Sequence, residues 1–181
     1  MVARREYTFG TLNRDDLNLS PVKQFSSWLD YANEKGISDA TAMALATADK
    51  TGTPTVRIVL LKSFNSKGFV WYSDKRSEKG ESISERPSAE LLFFWKELDR
   101  QVRIRGKIEM VGEEEVRDYF LSRPRESQIA ASISWQSQPI ETRLELERRY
   151  EEFATKHDSD LVLPAHWKGY RLLPSRYEFW Q

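Results

Sequence analysis

The feature that most constrains the fold of this chain is a series of short β-strand patterns separated by turns. The clearest is "RQVRIRGKIEMV", in which apolar and polar residues alternate. Successive side chains of a strand point to opposite faces of the sheet. The segment therefore predicts a strand with one apolar face, formed by Val102, Ile104, Ile108 and Met110. The opposite face is predicted to carry Gln101, Arg103, Arg105 and Lys107.

Further strand patterns lie on both sides of this segment. They are "TAMALATAD", "TVRIVLLKSF", "FVWYSD", "AELLFFWKEL" and, as one or two strands, "GYRLLPSRYEFWQ". Turn sequences such as "KTGTP" and "NSKG" separate them. Strands and helices do not alternate in the manner of a parallel sheet. We therefore predict a mainly β fold, a small antiparallel barrel with helices packed outside it.

Helical periodicity appears in a few segments between the strands. "SPVKQFSSWLDYANEKG" predicts a helix capped by Ser20, with Pro21 in its first turn and Gly36 at its end. The other helical segments are "KRSEKGESISERP", "GEEEVRDYFLSR", "PRESQIAASIS" and "ETRLELERRYEEFATKH". Residues 20–181 are predicted to form a single domain, preceded by a mobile polar arm at residues 1–19.

Length and composition exclude several classes of protein. The chain has 181 residues, with 28 basic and 28 acidic side chains, so we expect one domain without a basic face for duplex nucleic acid. Cysteine is absent and the two histidines are far apart, which argues against disulfides and metal sites. No signal-peptide pattern and no run of roughly 20 apolar residues is present. We therefore expect a soluble cytoplasmic protein that has no membrane partner.

Two cations bracket the strand pattern "VRIVLLK". Arg57 points to the side opposite Ile58 and Leu60, whereas Lys62 shares their side. If this strand is buried, both cations need partners. The partners are either acidic neighbours or an anionic ligand at the rim of the barrel, and the segment alone does not decide between them.

The segment "YFLSRPRESQ" gathers donors suited to a phosphate. The first turn of a helix presents free N–H groups and a partial positive charge. Arg123, Arg125 and Ser127 add cationic and hydroxyl donors there, and Tyr119 lies one helical turn earlier. Arginine can bind phosphate oxygens through two parallel hydrogen bonds. We favour a phosphate site over the alternative, an ordinary exposed helix start.

The loop "SWQSQP" carries mixed donors and acceptors at Gln136, Ser137 and Gln138. Such groups can recognise the edge of a heterocycle, although a loop of turn-forming residues explains each of them as well. The chain has no Rossmann glycine pattern, no phosphate-binding P-loop and no plausible Ser-His-Asp set. An enzyme with few nucleophiles and several anion-binding groups is expected to rely on a cofactor.

Taken together, these segments resemble the pyridoxine/pyridoxamine 5′-phosphate oxidases. The resemblance rests on "RREYT", "DATAMALAT", "RIVLLK", "LLFFW", "RQVRIRG", "YFLSRPRESQI", "QSQPI" and "EFWQ", which occur in the family's order. It implies the split β-barrel of FMN-binding proteins and a homodimer with FMN at its interface. The implied reaction oxidises pyridoxamine or pyridoxine 5′-phosphate to pyridoxal 5′-phosphate, with O2 as acceptor and H2O2 as product.

The resemblance also implies the roles of individual residues. FMN would contact Arg57, Ile58, Val59, Tyr72, Ser73, Lys79, Gln101, Gln136, Ser137 and Trp180. The substrate phosphate would contact Lys62, Tyr119, Arg123 and Ser127. Arg4, Arg5 and Tyr7 resemble an arm that closes over the bound substrate. No metal site and no catalytic side chain is implied, because the flavin carries the chemistry.

The chain departs from the family pattern in several places, including "QIAAS" and Lys168, and two of the departures bear directly on function. Glu78 stands where an arginine is expected at the FMN phosphate, and either it turns outward or Lys75 or Arg76 supplies the missing charge. The family continues beyond the position of Gln181 through an "RLHDR"-like segment that contacts substrate and flavin. A chain without that segment is expected to be impaired in hydride transfer. The alternatives are therefore a catalytically impaired FMN- or PLP-binding split-barrel protein, or a relative that uses another flavin or a deazaflavin.

Overall fold

The computed structural model describes residues 6–159 and 161–181, so Arg4 and Arg5 lie outside the described residues. A seven-stranded antiparallel sheet runs through these residues, in the order β2-β1-β5-β6-β7-β4-β3. Its strands are β1 (Ala42–Ala48), β2 (Pro54–Leu60), β3 (Ser63–Asn65), β4 (Gly68–Asp74), β5 (Ser88–Trp95), β6 (Arg100–Met110) and β7 (Trp167–Trp180). The helices are α1 (Pro21–Glu34), α2 (Glu78–Glu85), α3 (Glu113–Ser122), α4 (Arg125–Ile133) and α5 (Arg143–Lys156).

The alternating segment forms β6, and its apolar face is confirmed at Val102, Ile104 and Ile108, which are all buried. Met110 is an exception, because its side chain is 56% exposed. The strand ends at Met110, and the chain then turns so that Val111 enters a second core beside Val116. The expected alternation therefore breaks where the ladder stops.

Helix α1 closes one end of the barrel interior. Ser20 accepts a hydrogen bond from the Lys23 amide, and Gly36 adopts a left-handed φ of 70°, which confirms the predicted caps. Phe25 on the inner face of α1 packs edge-on against Phe64 and Phe93, with ring centroids 5.0 and 4.8 Å apart. Burial of such rings is the main stabilising term for the interior.

A second core lies outside the barrel, where α3 and α4 cover β4 and β7. It is formed by Val70, Val111, Val116, Phe120, Ile129, Leu161 and Trp167. Because Val116 and Phe120 hold one side of α3 against the sheet, Tyr119 on the neighbouring side is placed over β4. This packing positions the predicted phosphate motif.

The link between β2 and β3 closes the barrel. The Leu61 amide donates to Thr41 O and the Lys62 amide donates to Val70 O, both at 2.9 Å. Two consecutive residues between the edge strands β2 and β3 are thus hydrogen-bonded to the residue before β1 and to β4. The predicted split antiparallel β-barrel with flanking helices is confirmed.

The condition under which both cations of "VRIVLLK" would need partners, a buried strand, is not met. β2 lies at the edge of the sheet and pairs with β1. No helix of the described residues covers its outer side, and Val56, Ile58 and Leu60 are 69%, 67% and 41% exposed there. Only the inward-facing side of this strand, which carries Arg57, is enclosed.

Candidate functional site

A hydrogen-bonded cluster of polar side chains, called the polar pocket, lies where β4 ends and α2 begins. Lys79 is 9% exposed, and its Nζ donates to Gln136 Oε1 at 2.8 Å and to Ser77 Oγ at 3.1 Å. Ser73 Oγ donates to the same Gln136 oxygen at 3.1 Å. Three residues predicted to contact FMN, Ser73, Lys79 and Gln136, are thus brought together although they are far apart in the chain.

The start of α2 explains why Lys79 points inward. Ser77 caps the helix by accepting from the Gly80 amide, and its hydroxyl donates to Asp74 O at 2.6 Å. A Cβ on Gly80 would lie 2.4 Å from Lys75 O, so glycine permits the helix to approach the end of β4. The first turn is thereby held against the strand, and Lys79 is directed into the pocket.

Arg57 lies on the inward side of β2, next to this pocket. Its Nη1 donates to Leu45 O at 3.1 Å and to Thr47 Oγ1 at 2.8 Å, and its Nη2 donates to Thr55 Oγ1. Burial lowers the pKa of both Arg57 and Lys79, and the charge of Arg57 lowers the pKa of Lys79 further. Two close cations with lowered pKa values are the electrostatic arrangement that an anion would relieve.

Glu78 faces this cationic pair. Its Oε2 lies 3.8 Å from Arg57 Nη2, although its side chain is 59% exposed. Neither of the proposed substitutes for the family arginine adds charge here by direct contact. Lys75 is exposed, and Arg76 binds elsewhere.

Arg76 instead fastens the loop that carries Gln136. Its Nη2 donates to Asp74 Oδ2 at 2.7 Å and to Ser134 O at 2.8 Å, and its guanidinium lies 4.8 Å from the centre of the Trp135 ring. Burial alone would raise the pKa of Asp74, but hydrogen bonds from Arg76 outweigh it and lower that pKa. Sequence reasoning missed these contacts of Arg76 with Asp74 and Ser134, because nothing in "SDKRS" indicates that the aspartate is buried.

A second pocket contains a stack of aromatic rings. The rings of Tyr72 and Tyr119 lie 4.1 Å apart at 12°, and those of Tyr72 and Trp167 lie 5.1 Å apart at 9°. The Arg123 guanidinium lies 4.9 Å from the centre of the Trp167 ring. Arg123 Nη1 is buried and has no hydrogen-bond partner in the part of the chain that the structure describes. Trp167 was not predicted to act in the site.

Lys62 opens onto a cavity of about 470 Å³ beside this stack. The cavity is lined by Lys62, Ser63, Tyr72, Glu114, Glu115, Asp118 and Tyr119. Burial, followed by the charge of Glu115, raises the pKa of Tyr72 to about 12, so its hydroxyl stays protonated. Lys62, Tyr72 and Tyr119 therefore share one cavity, whereas its carboxylates were not anticipated.

The two other donors of the "RPRESQ" motif differ. Ser127 is half-buried in the first turn of α4, and its amide donates to Pro124 O at 2.9 Å. Arg125 points away from the stack, because its guanidinium donates to the carbonyls of Ser159 and His157 near the end of α5. Arg125 therefore braces α5 rather than contributing to the expected cluster of phosphate donors.

The remaining predicted flavin contacts lie on β2, β6 and β7 and in the loop of Gln136. Gln101 pairs with Trp180 across β6 and β7, and Trp180 meets the Tyr7 ring edge-on at 5.0 Å. Val59 is half-buried against the main core, and Ile58 is exposed. Ser137 is exposed, with a left-handed φ of 67°.

The N-terminal segment is attached beside Gln101. The amides of Thr8 and Phe9 donate to Asp99 Oδ2 at 3.1 and 3.2 Å. Arg100 lies 4.5 Å from the centre of the Trp28 ring and donates to Gln181 Oε1. These contacts place Tyr7 next to Trp180, while the mobility of the arm stays a prediction.

The fold is a split barrel of the class found in FMN-binding proteins. The family profile described as "Pyridoxamine 5'-phosphate oxidase" matches residues 29–157. The chain belongs to the pyridoxamine 5′-phosphate oxidase family, and its resemblance to that family is confirmed.

Bacterial relatives that carry the family name align with nearly the whole chain. A pyridoxine/pyridoxamine 5′-phosphate oxidase of Hydrogenovibrio crunogenus is 51% identical over 178 residues, covering 98% of this chain and 82% of the relative. One from Bordetella petrii is 46% identical, covering 98% of this chain and 84% of the relative. These relatives, which share the family name, support an oxidase of this family.

Solved structures agree on the fold. PhzG from Burkholderia lata, in complex with tetrahydrophenazine-1-carboxylic acid, has a TM-score of 0.88 and 28% identity, covering 94% of this chain and 85% of that one. An FMN-binding protein from Nostoc punctiforme has a TM-score of 0.72 and 16% identity, covering 90% and 86%. The second likeness supports the fold alone. Within the described residues, every helix is too short or too polar to cross a membrane.

Proposed function

We propose that this chain is an FMN-dependent oxidase that converts pyridoxamine or pyridoxine 5′-phosphate into pyridoxal 5′-phosphate. O2 would be the acceptor and H2O2 the product. The observation that carries the proposal is the convergence of Ser73, Lys79 and Gln136 beside Arg57, together with a separate buried guanidinium at Arg123. Two cationic pockets suit a phosphorylated cofactor and a phosphorylated substrate.

The polar pocket fits the phosphate end of FMN. Arg57 and Lys79 supply positive charge, and Ser73 supplies a hydroxyl, at the start of α2 where the helix dipole also favours an anion. Bound FMN would supply the hydride acceptor and the route for electrons to oxygen. Tyr72 and Ser137, which adjoin Ser73 and Gln136 in the sequence, would add contacts, and Ile58 and Val59 would offer backbone contacts.

The aromatic pocket suits the substrate phosphate. Arg123 has a buried N–H group without a partner among the described residues, and such a group favours an incoming acceptor. Lys62 and Tyr119 face the adjoining cavity, and Ser127 lies in the next helix. Arg4, Arg5 and Tyr7 would close over the substrate.

A homodimer would explain the position of Gln101 and Trp180. Trp180, which pairs with Gln101, ends β7, whereas Ser73 of the polar pocket pairs with Lys168 at the other end of that 14-residue strand. One chain would therefore not gather all the predicted flavin contacts. The outer face of β2, together with the half-exposed Phe94 of β5, is apolar. A second copy that covered this face would bury it and complete each flavin site.

The test is a comparison of substrates. Purified protein is titrated with FMN while flavin fluorescence is followed, and oxygen uptake is then measured with pyridoxamine 5′-phosphate and with pyridoxamine. We expect saturable FMN binding, and oxidation of pyridoxamine 5′-phosphate in strong preference to pyridoxamine. A protein that takes up no FMN would exclude the proposal.

Glu78 favours a second candidate, a catalytically impaired protein that binds FMN or pyridoxal phosphate. A carboxylate 3.8 Å from Arg57 opposes a phosphate at that cation. This candidate predicts ligand binding without oxygen uptake, even when the gene's complete reading frame is expressed. Measurable turnover by the complete product would exclude it.

A further inference from the structure

We propose that Glu78 is a specificity-determining residue that competes with the cofactor phosphate for Arg57. In the free protein it pairs with Arg57, and this pairing narrows the preference of the site for FMN over phosphate-free riboflavin. The inference rests on the proposed flavin-binding function. Glu78 has the same sign of charge as the phosphate and the opposite sign to Arg57 and Lys79.

The geometry directs Glu78 at the available side of Arg57. Arg57 Nη1 already donates to Leu45 O, Thr47 Oγ1 and Thr55 O. Nη2 donates to Thr55 Oγ1, and it is also the atom 3.8 Å from Glu78 Oε2. A phosphate that approaches Nη2 must therefore displace this carboxylate or remain beside it.

The effect of the Glu78 charge on the site reverses when a phosphate binds. Without it, Arg57 and Lys79 repel each other, and the charge of Glu78 offsets this by raising the pKa of both. With a phosphate present, Glu78 becomes a like charge beside an anion. The carboxylate therefore stabilises the free site and destabilises the loaded one, which lowers affinity for the charged ligand only.

The expected size is modest because the pair is partly solvated. The Glu78 side chain is 59% exposed and that of Arg57 is 19% exposed. Exposed charge pairs at this separation contribute little, and we expect a change of about 2- to 5-fold in Kd at low salt. Salt screens such pairs, so the effect should diminish at high ionic strength.

Helix α2 provides a matched control. Glu81 is also acidic, exposed and in the first turn of α2. Both carboxylates interact with the same helix dipole, but Arg57 is paired with Glu78. Glu81→Gln therefore reproduces the change in net charge and in helix stability without removing the Arg57 contact.

The experiment measures Kd for FMN and for riboflavin by flavin fluorescence in the wild type, Glu78→Gln and Glu81→Gln. We expect Glu78→Gln to bind FMN about 2- to 5-fold more tightly, with riboflavin affinity unchanged. Glu81→Gln should keep the wild-type ratio of the two constants. Raising the salt concentration should bring the FMN affinities of the wild type and Glu78→Gln together.

Three results would overturn the inference. One is FMN binding by Glu78→Gln with an unchanged ratio of the two constants. Another is an equal change in Glu81→Gln, which would indicate a general charge effect. If no variant bound either flavin, the proposed function itself would fail, and the inference with it. Thermal unfolding of each apoprotein confirms that the variants are folded.

Discussion

The polar pocket around Lys79 and the aromatic pocket around Arg123 handle buried cations in different ways. In the polar pocket, Lys79 is hydrogen-bonded to Gln136, and Arg57 faces Glu78. In the aromatic pocket, Arg123 lies over the Trp167 ring and keeps a buried N–H without a partner in the described chain. An anion must exchange with existing partners in the first pocket, whereas the second presents a donor already oriented by ring packing.

This difference has a structural origin. The polar pocket joins an edge strand, the start of α2 and a loop, and its cations are held by hydrogen bonds to polar groups of those segments. The aromatic pocket is built from α3 packed on β4 and β7, with Trp167 only 5% exposed. Rigid packing can hold a cation without an anionic partner, because a ring face attracts it while excluding water.

The largest expected effect comes from Arg123→Ala. Removing a cation that makes charge-assisted bonds to a phosphate costs about 1.5–3 kcal/mol, so KM for pyridoxamine 5′-phosphate should rise by roughly 10- to 150-fold. The Kd for FMN should stay unchanged. Steady-state kinetics and flavin titration measure the two quantities.

Arg125→Ala is the control for Arg123→Ala. It removes a neighbouring cation that contacts the carbonyls of Ser159 and His157. We expect its KM to stay within about twofold of the wild type. An equal rise in both variants would contradict the distinction between the two arginines.

Lys79→Met should weaken FMN binding by about tenfold or more, because it removes a buried charge-assisted donor while keeping the length of the side chain. Riboflavin, which has no phosphate, should bind with little change. Fluorescence titration of both ligands separates a phosphate contact from general damage to the pocket. A parallel loss for riboflavin would mean that Lys79 supports the fold instead.

Arg76→Ala should destabilise the protein by about 2 kcal/mol at neutral pH, since the buried carboxylate of Asp74 loses its hydrogen bonds. The pKa of Asp74 is lowered in the folded protein, so its contribution is present above the unfolded pKa of about 4. The contribution is lost as pH falls through the lowered folded value. Denaturant unfolding should therefore show a difference from the wild type that narrows in acid.

Asp74→Asn provides the complementary test of the Asp74–Arg76 pair. It should remove most of the acid dependence that distinguishes the wild type from Arg76→Ala. If the difference between the wild type and Arg76→Ala were constant from neutral pH to acid, the Asp74–Arg76 pair would not be its source.

The smallest expected effect comes from Trp167. Trp167→Leu removes the ring beneath Arg123, and cation–π contacts contribute about 1 kcal/mol, so KM should rise about fivefold with kcat little changed. Trp167→Phe should restore most of the affinity because it keeps a ring face. If Phe and Leu raised KM equally, the ring would have no positioning role.

Local elements of this fold follow closely from local signals. The helix from Pro21, the alternation of β6 and the presence of a helix before Pro87 were predictable, because caps, turns and periodicity act over a few residues. The match of ordered motifs also predicted the split barrel. By contrast, Met110 and β2 depart from expectation because their exposure depends on where the sheet ends.

The amino-acid sequence by itself determined the type and order of the elements, the family, and which segments carry cations and amides. Only the tertiary structure decided that Arg76 clasps the Gln136 loop, that Arg125 braces α5, and that Trp167 supports Arg123. The physical reason is the separation along the chain over which each interaction acts. Helix caps and strand alternation depend on neighbours in the chain, whereas a charge chooses its partner among groups that folding brings within a few ångströms.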